Sequence, residues 1–223
     1  MADKKGQGIL MVYCDVSPDV EDEFNRWYDQ EHIPERLSIP GVLSAARYVA
    51  LGGGPKYLAC YELSGPEAWH SPEWQQWLTN PTEWSQRMSP SVVATTYIRN
   101  LYRLIYPGNV DPATARAEMA PLMLVGRMSV PASLETQFNQ SYNQERLPEC
   151  YSVPGYIRGR RFEAAMGEPR YMTVHEMESA QVPDSQEWAA WTAGVTPVWS
   201  EKVRPHMVHA EGSPGIYQRI STG

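Results

Sequence analysis

His32 sits where an apolar helical stripe (Val20, Phe24, Trp27, Tyr28) runs into Pro34. A neutral imidazole at such a place could take a proton near neutral pH. The competing reading is a charged cap at a helix C-terminus, where the helix dipole favours a cation. His175 is the second candidate base. Arg127 or Arg146 could hold a carboxylate, and the phenols of Tyr13 or Tyr61 could stabilise an enolate. Trp27 and Tyr28 flank His32 as candidate substrate contacts. Together these side chains suit proton transfer on a small acidic or phenolic molecule. No metal site is expected. His206 and His209 have no carboxylate pair beside them, and a Cys-x-x-Cys or His-Glu-x-x-His pattern is missing. A Gly-x-Ser-x-Gly elbow, a P-loop and a Gly-x-Gly-x-x-Gly turn are also missing. A cofactor-free acid–base reaction is therefore expected.

The elements that position these residues follow from a duplication. Phe24 to Leu63 recurs at Phe138 to Met177 without a gap, an offset of 114 positions with 16 of 40 residues identical. Further on, Trp74 and Trp77 fall on Trp188 and Trp191. One extra residue then brings Trp84 onto Trp199. Two units of about 100 residues are expected: 1–107 and 121–223, joined by a Pro- and Gly-containing linker at 108–120. Each reads as β-α-β-β-α-β, the ferredoxin-like split βαβ. One such sheet leaves an apolar face bare, and a tandem copy can cover it by closing a barrel. Pro34 is expected to break or kink the first helix at His32-Ile33.

Positions that differ between the copies are where function could have diverged. His32 faces Arg146 in the alignment, Tyr61 faces His175 and Tyr13 faces Arg127. Trp27 likewise faces Ser141, Asp29 faces Asn143 and Arg36 faces Cys150. Strand parity puts Leu10, Val12, Cys14 and Val16 beneath the helices and Tyr13 on the opposite face with Arg127. Tyr61 and His175 are expected to join Tyr13 and Arg127 inside the barrel. That cluster could form a binding site or a satisfied polar network between the units. The retained charges Glu62, Glu176, Arg47 and Arg161 read as structural ion pairs. The tryptophans read as packing of the second helices, with a flat aromatic substrate as the alternative.

The net charge of −7 and the lack of a basic run speak against nucleic-acid binding. The N-terminus carries no charged-then-apolar leader, and no apolar run reaches about 18 residues, so a cytoplasmic protein without a membrane partner is expected. Cys14, Cys60 and Cys150 read as buried reduced thiols. A homodimer remains open.

The string Trp27-Tyr28-x-x-Glu31-His32-x-Pro34-Glu35, then Pro40-Gly41, then Arg47-Tyr48, resembles the dimeric α+β barrel superfamily, nearest its EthD-like branch. The resemblance spans each copy end to end. It implies two ferredoxin-like units forming one intramolecular α+β barrel. The superfamily's activities range over cofactor-independent monooxygenases, isomerases, cyclases, decarboxylases and haem-dependent enzymes, and fold does not choose among them. For His32 the resemblance implies catalysis. The expected activity is an isomerase or lyase acting on an aromatic-derived or ring-cleaved molecule. A hydrolase of a small ester or lactone, or a non-catalytic binding protein, are the alternatives.

Overall fold

Alternating side chains make the first strand two-sided, and that alternation builds both cores of the molecule. The computed structural model describes residues 2–194 and 198–222. Met1 and Gly223, the outer limits of the two expected units, lie outside them. The first unit runs β1 (Gly8–Val16), α1 (Pro18–Trp27), a π-helical turn (Tyr28–His32), α2 (Ile33–Leu37), β2 (Val42–Gly52) and β3 (Tyr57–Leu63). It then continues through α3 (Pro72–Thr79), α4 (Glu83–Met88) and α5 (Pro90–Val93) into β4 (Ala94–Tyr106). A short α6 (Pro112–Ala115) lies in the connection. The second unit runs β5 (Leu122–Ser129), α7 (Glu135–Ser141), a π-helical turn (Tyr142–Arg146), α8 (Leu147–Cys150), β6 (Tyr156–Met166) and β7 (Tyr171–Met177). It ends with α9 (Gln186–Ala193), a further π-helical segment (Val198–Val203), β8 (Val208–His209) and β9 (Gly215–Thr222).

Each unit orders its strands in the same antiparallel way: β4-β1-β3-β2 in the first and β9-β5-β7-β6 in the second. The units join twice, β2 to β9 and β4 to β6, so eight strands close on themselves. Closure leaves no free sheet edge in the ring. Ile9, Met11, Tyr13, Leu58, Phe162 and Met172 fill the interior, and Met119 and Ala120 of the connection join them. Leu10, Val12 and Cys14 point outward under Phe24 and Trp27, as parity predicts.

Tyr61 and His175 depart from expectation. They lie outside the barrel, beneath the helices. The register explains this. Leu10 stands opposite Tyr61, and Leu124 opposite His175. Directly opposed residues share a face, so Tyr61 follows Leu10 and not Tyr13. Parity within each strand is readable from sequence, but the face shared between two strands depends on hairpin register.

The first helix also does not break at Pro34. The Ile33 N–H donates to the Tyr28 carbonyl, five residues back, and the chain continues into α2 with Ile33 still helical. A π-helical turn widens the helix just before the proline, whose missing N–H falls in the first turn of α2. The second unit repeats this device before Pro148. His32 is therefore not a C-terminal cap.

Inside the barrel, Glu62 and Glu176 share two cations, and Arg158 Nε lies 3.3 Å from Glu176 as a third. Arg160 donates to Glu62 Oε2 (3.0 Å) and to Glu176 Oε1 (2.9 Å). Lys5 Nζ lies 3.6 Å from Glu62 and 3.5 Å from Glu176. Lys5, Glu62, Arg160 and Glu176 are all buried. Arg47 and Arg161 take other partners, beneath the helices. Arg47 binds Asn25 and Asp29, and Arg161 binds Asn139 and Asn143. The expected ion pairing thus holds for the two glutamates inside the barrel and for Arg47 with Asp29, whereas Arg161 is held by the side-chain oxygens of two neutral asparagines.

Candidate functional site

The π-helical turn sets the position of His32. It rotates the imidazole onto the sheet side of the helix, stacked on Trp27 with ring centres 4.4 Å apart and planes at 32°. Tyr28 meets the imidazole edge-on at 5.1 Å, and Tyr61 of β3 approaches it at 6.2 Å. Trp27 is itself fixed: its Nε1 donates to Glu31 Oε1 and Ser85 Oγ, both at 3.1 Å. Glu31 also accepts from Thr82 (2.5 Å) and Ser85 (3.0 Å). One carboxylate thus ties the π-helical turn to α4.

His32, Tyr28 and Tyr61 line a cavity of about 100 Å³ between sheet and helices, together with Arg36, Trp69 and Trp74. A second cavity of about 340 Å³ adjoins it and shares His32, Arg36, Leu78, Ser89 and Ser91. Together they reach the size range of small-molecule sites. Three residues of this wall carry a buried polar atom without a hydrogen-bond partner: His32 Nδ1, Arg36 Nη1 and Trp74 Nε1. The Tyr61 phenol sits against that of Tyr28. Buried polar groups are normally paired, because leaving one unpaired costs about 1–3 kcal/mol.

Electrostatics agree. Burial, then Arg36 and Arg47, hold the His32 imidazole well below its ordinary range, so it is neutral at physiological pH. Burial pushes the Tyr61 phenol up, against the pull of Arg36. Burial also lowers the Arg36 guanidinium, although an arginine stays charged near neutral pH. No Asp or Glu among the described residues lines either cavity, so Arg36 presents net positive charge to a ligand.

The other predicted residues fall in two further places. Arg146 and His175 share a cavity of about 320 Å³ in the second unit. There the polar groups are paired: Tyr156 Oη lies 3.0 Å from His175 Nδ1, and Arg146 Nη1 donates to the carbonyls of Trp191 and Gly194. Tyr13 and Arg127 lie inside the barrel, with the guanidinium 4.4 Å from the phenol ring centre. Arg127 also donates to the Glu211 carbonyl. The predicted set therefore gathers His32, Tyr61, Tyr28 and Trp27 at one site and separates the rest. Arg36 was visible in the sequence only as a position that differs between the copies. It lies four residues beyond His32, and the Arg36/Cys150 mismatch was the signal for it. Trp74 reads as packing in sequence, yet its indole N–H faces the cavity unpaired.

No family model and no curated protein matches the chain. Solved structures do. An anthrone oxidase-like protein aligns with a TM-score of 0.65 at 13% identity, over 98% of this chain and 93% of its own. The chain shares that protein's fold, an α+β barrel of eight antiparallel strands. A candidate monooxygenase from Lactobacillus acidophilus NCFM aligns at 0.58 and 9% identity, over 97% and 96%. The chlorite dismutase of Candidatus Nitrospira defluvii aligns at 0.59 and 11%, over 98% and 92%. At these identities the likeness is one of fold, and in this chain both barrel units are carried by a single polypeptide.

Proposed function

We propose that the first unit is an acid–base enzyme site for a small phenolic or acidic molecule. The observation that carries this reading is that His32, Arg36 and Trp74, each with an unpaired buried nitrogen, line one cavity with Tyr61. The neutral His32 imidazole takes a proton from a carbon or hydroxyl of the substrate. Arg36 holds the oxygen on which negative charge develops, and the Tyr61 phenol and the Trp74 indole donate to the same anion. Donors fixed before reaction stabilise the enolate or phenolate without reorganising. A base held well below its ordinary range binds the proton weakly and returns it readily. That behaviour suits isomerisation, elimination or decarboxylation, in which the proton is relayed to another atom. Trp27, Tyr28 and Trp69 supply flat faces for an aromatic or ring-cleaved skeleton.

A second reading rests on the fold likeness to an anthrone oxidase-like protein and a candidate monooxygenase. The same enolate carbon would give its electron pair to dioxygen, forming a C–O bond. The resulting peroxide anion would then take back the proton held by His32. Oxygen uptake separates the two readings.

The test is turnover of phenolic and ring-cleaved aromatic acids by the wild type and by His32→Ala, Arg36→Gln and His175→Ala. Loss of turnover by roughly 10²–10⁴-fold in His32→Ala is expected for a general base, with little change in His175→Ala. Equal activity in wild type and His32→Ala would overturn the proposal. Ligand binding with no turnover in any variant would make the protein a binding module.

A further inference from the structure

The second unit's cavity stands at the same place in its own copy, yet its wall is of another kind. It measures about 320 Å³, where the first unit has two adjoining cavities of about 100 and 340 Å³. Two exchanges at the repeat offset change the wall. Val12, on the wall of the first cavity, corresponds to Gly126 on the wall of the second, and Arg36 corresponds to Cys150.

We infer that this cavity is a separate binding site for a planar aromatic anion, distinct from the acid–base site of the first unit. Its aromatic faces are already arranged. Trp188 and Trp191 lie with ring centres 4.4 Å apart, and Tyr142 meets Trp199 edge-on at 5.0 Å. Such faces take a flat apolar ring at little entropic cost. The charge on the wall has one sign. Arg146 and Arg204 line the cavity, and no Asp or Glu among the described residues does. Arg146 is buried, 4.2 Å from the Trp191 ring centre and 3.8 Å from Glu149 Oε2. His175 Nδ1 is engaged by Tyr156, whereas His32 Nδ1 in the first cavity has no partner.

The inference does not rest on the proposed activity, and Gly126 allows the two to be tested apart. Gly126 lies in β5 with no positive φ, and a Cβ there would meet only the flexible end of Met128, at 2.9 Å. A valine is therefore compatible with the strand and fills the cavity. The probe is 2-naphthoate, titrated calorimetrically against the full chain, with 2-naphthamide as the uncharged control. Gly126→Val should weaken the site in the second unit at least tenfold while leaving thermal unfolding at or above wild type. Arg204→Gln should weaken it severalfold, and the amide should bind severalfold more weakly than the acid. Two sites in the wild type, one lost in Gly126→Val and the other in Arg36→Gln, would also support the inference. Wild-type affinity in Gly126→Val, absence of binding, or loss confined to Arg36→Gln would overturn it. The last result would place the ligand in the first cavity and leave the proposed acid–base site standing. Equal affinity for acid and amide would overturn the anionic character of the ligand.

Discussion

Arg160, from the second unit, grips Glu62, from the first, in the barrel interior, with a 3.0 Å hydrogen bond between Nη1 and Oε2 and a second contact through Nη2. The pair crosses between units that otherwise repeat each other. Glu62 and Glu176 are equivalent by the repeat, whereas Arg160 corresponds to Ala46 and Lys5 to Met119. The two carboxylates thus share two cations that come from non-equivalent positions. Burying a charge pair gains little over an apolar pair of the same shape, but removing Arg160 leaves Glu62 without its hydrogen-bonded partner and with Lys5 3.6 Å away. Arg160→Ala should therefore destabilise the protein by about 3–5 kcal/mol, and Arg160→Ala with Glu62→Gln should cost less than the sum of the single changes. Urea unfolding followed by tryptophan fluorescence measures both. Additive costs would show that the pair is not coupled.

The interior cluster also shows what could be read from sequence. The duplication, the order of elements and the barrel follow from the repeat and from a bare sheet face needing cover. Parity correctly put Tyr13 and Arg127 inside. It failed for Tyr61 and His175 because the face shared by β1 and β3 is set by the pairing of Leu10 with Tyr61, a tertiary fact. Arg160 stands opposite Ala46 in the repeat, a large change at an interior position. At the candidate site, His32, Tyr61, Tyr28 and Trp27 were legible as residue types. Their meeting depends on the π-helical turn, which no local pattern announces. A proline after a helical stripe reads as a stop unless an extra residue widens the turn.

Glu31 holds that turn in place. Its carboxylate accepts from Trp27, Thr82 and Ser85, and Trp27 in turn stacks on His32. A hydrogen bond to a charged group contributes about 1.5–3 kcal/mol. Glu31→Gln removes the charge and should lower stability by about that amount. It should also broaden the near-ultraviolet circular dichroism of the tryptophans as Trp27 loosens. Thr82→Ala should cost less, since it removes one donor and leaves the carboxylate two. A Glu31→Gln protein as stable as wild type, with an unchanged spectrum, would mean the turn is held by packing alone.

The two buried imidazoles set an acid limit on stability. Burial and then Arg146 bring His175 down to about 3. An unfolded histidine titrates near 6.5. Between these values the unfolded chain binds a proton that the folded chain refuses, so stability falls as pH drops from about 6.5 and rises again as pH is restored. One such histidine gives a slope of about 1.4 kcal/mol per pH unit within that window. Urea midpoints at pH 7, 6 and 5 should decline in the wild type. The decline should be shallower in His175→Asn, which keeps an amide for Tyr156 but does not titrate. Parallel curves for the two proteins would show that His175 protonates freely in the folded state.

The same physics predicts the shape of the activity profile at the first site. His32 is held well below its ordinary range, by burial first and by Arg36 and Arg47 after it. The imidazole is therefore already neutral at pH 7, and raising the pH further cannot create more base. kcat/KM should stay flat above about pH 6.5, the unperturbed histidine value, and fall only on the acid side. Arg36→Met removes one of the two repelling cations. His32 should then hold its proton more tightly, and the acid limb should move toward higher pH while kcat/KM falls at every pH through loss of the anion contact. Nitrogen-15 NMR of His32 in the free protein reads the same titration without turnover. A limb that stays in place in Arg36→Met, together with an unmoved His32 resonance, would show that Arg36 does not act on His32. An activity that rises steadily from pH 6 to 9 would assign the base to another group.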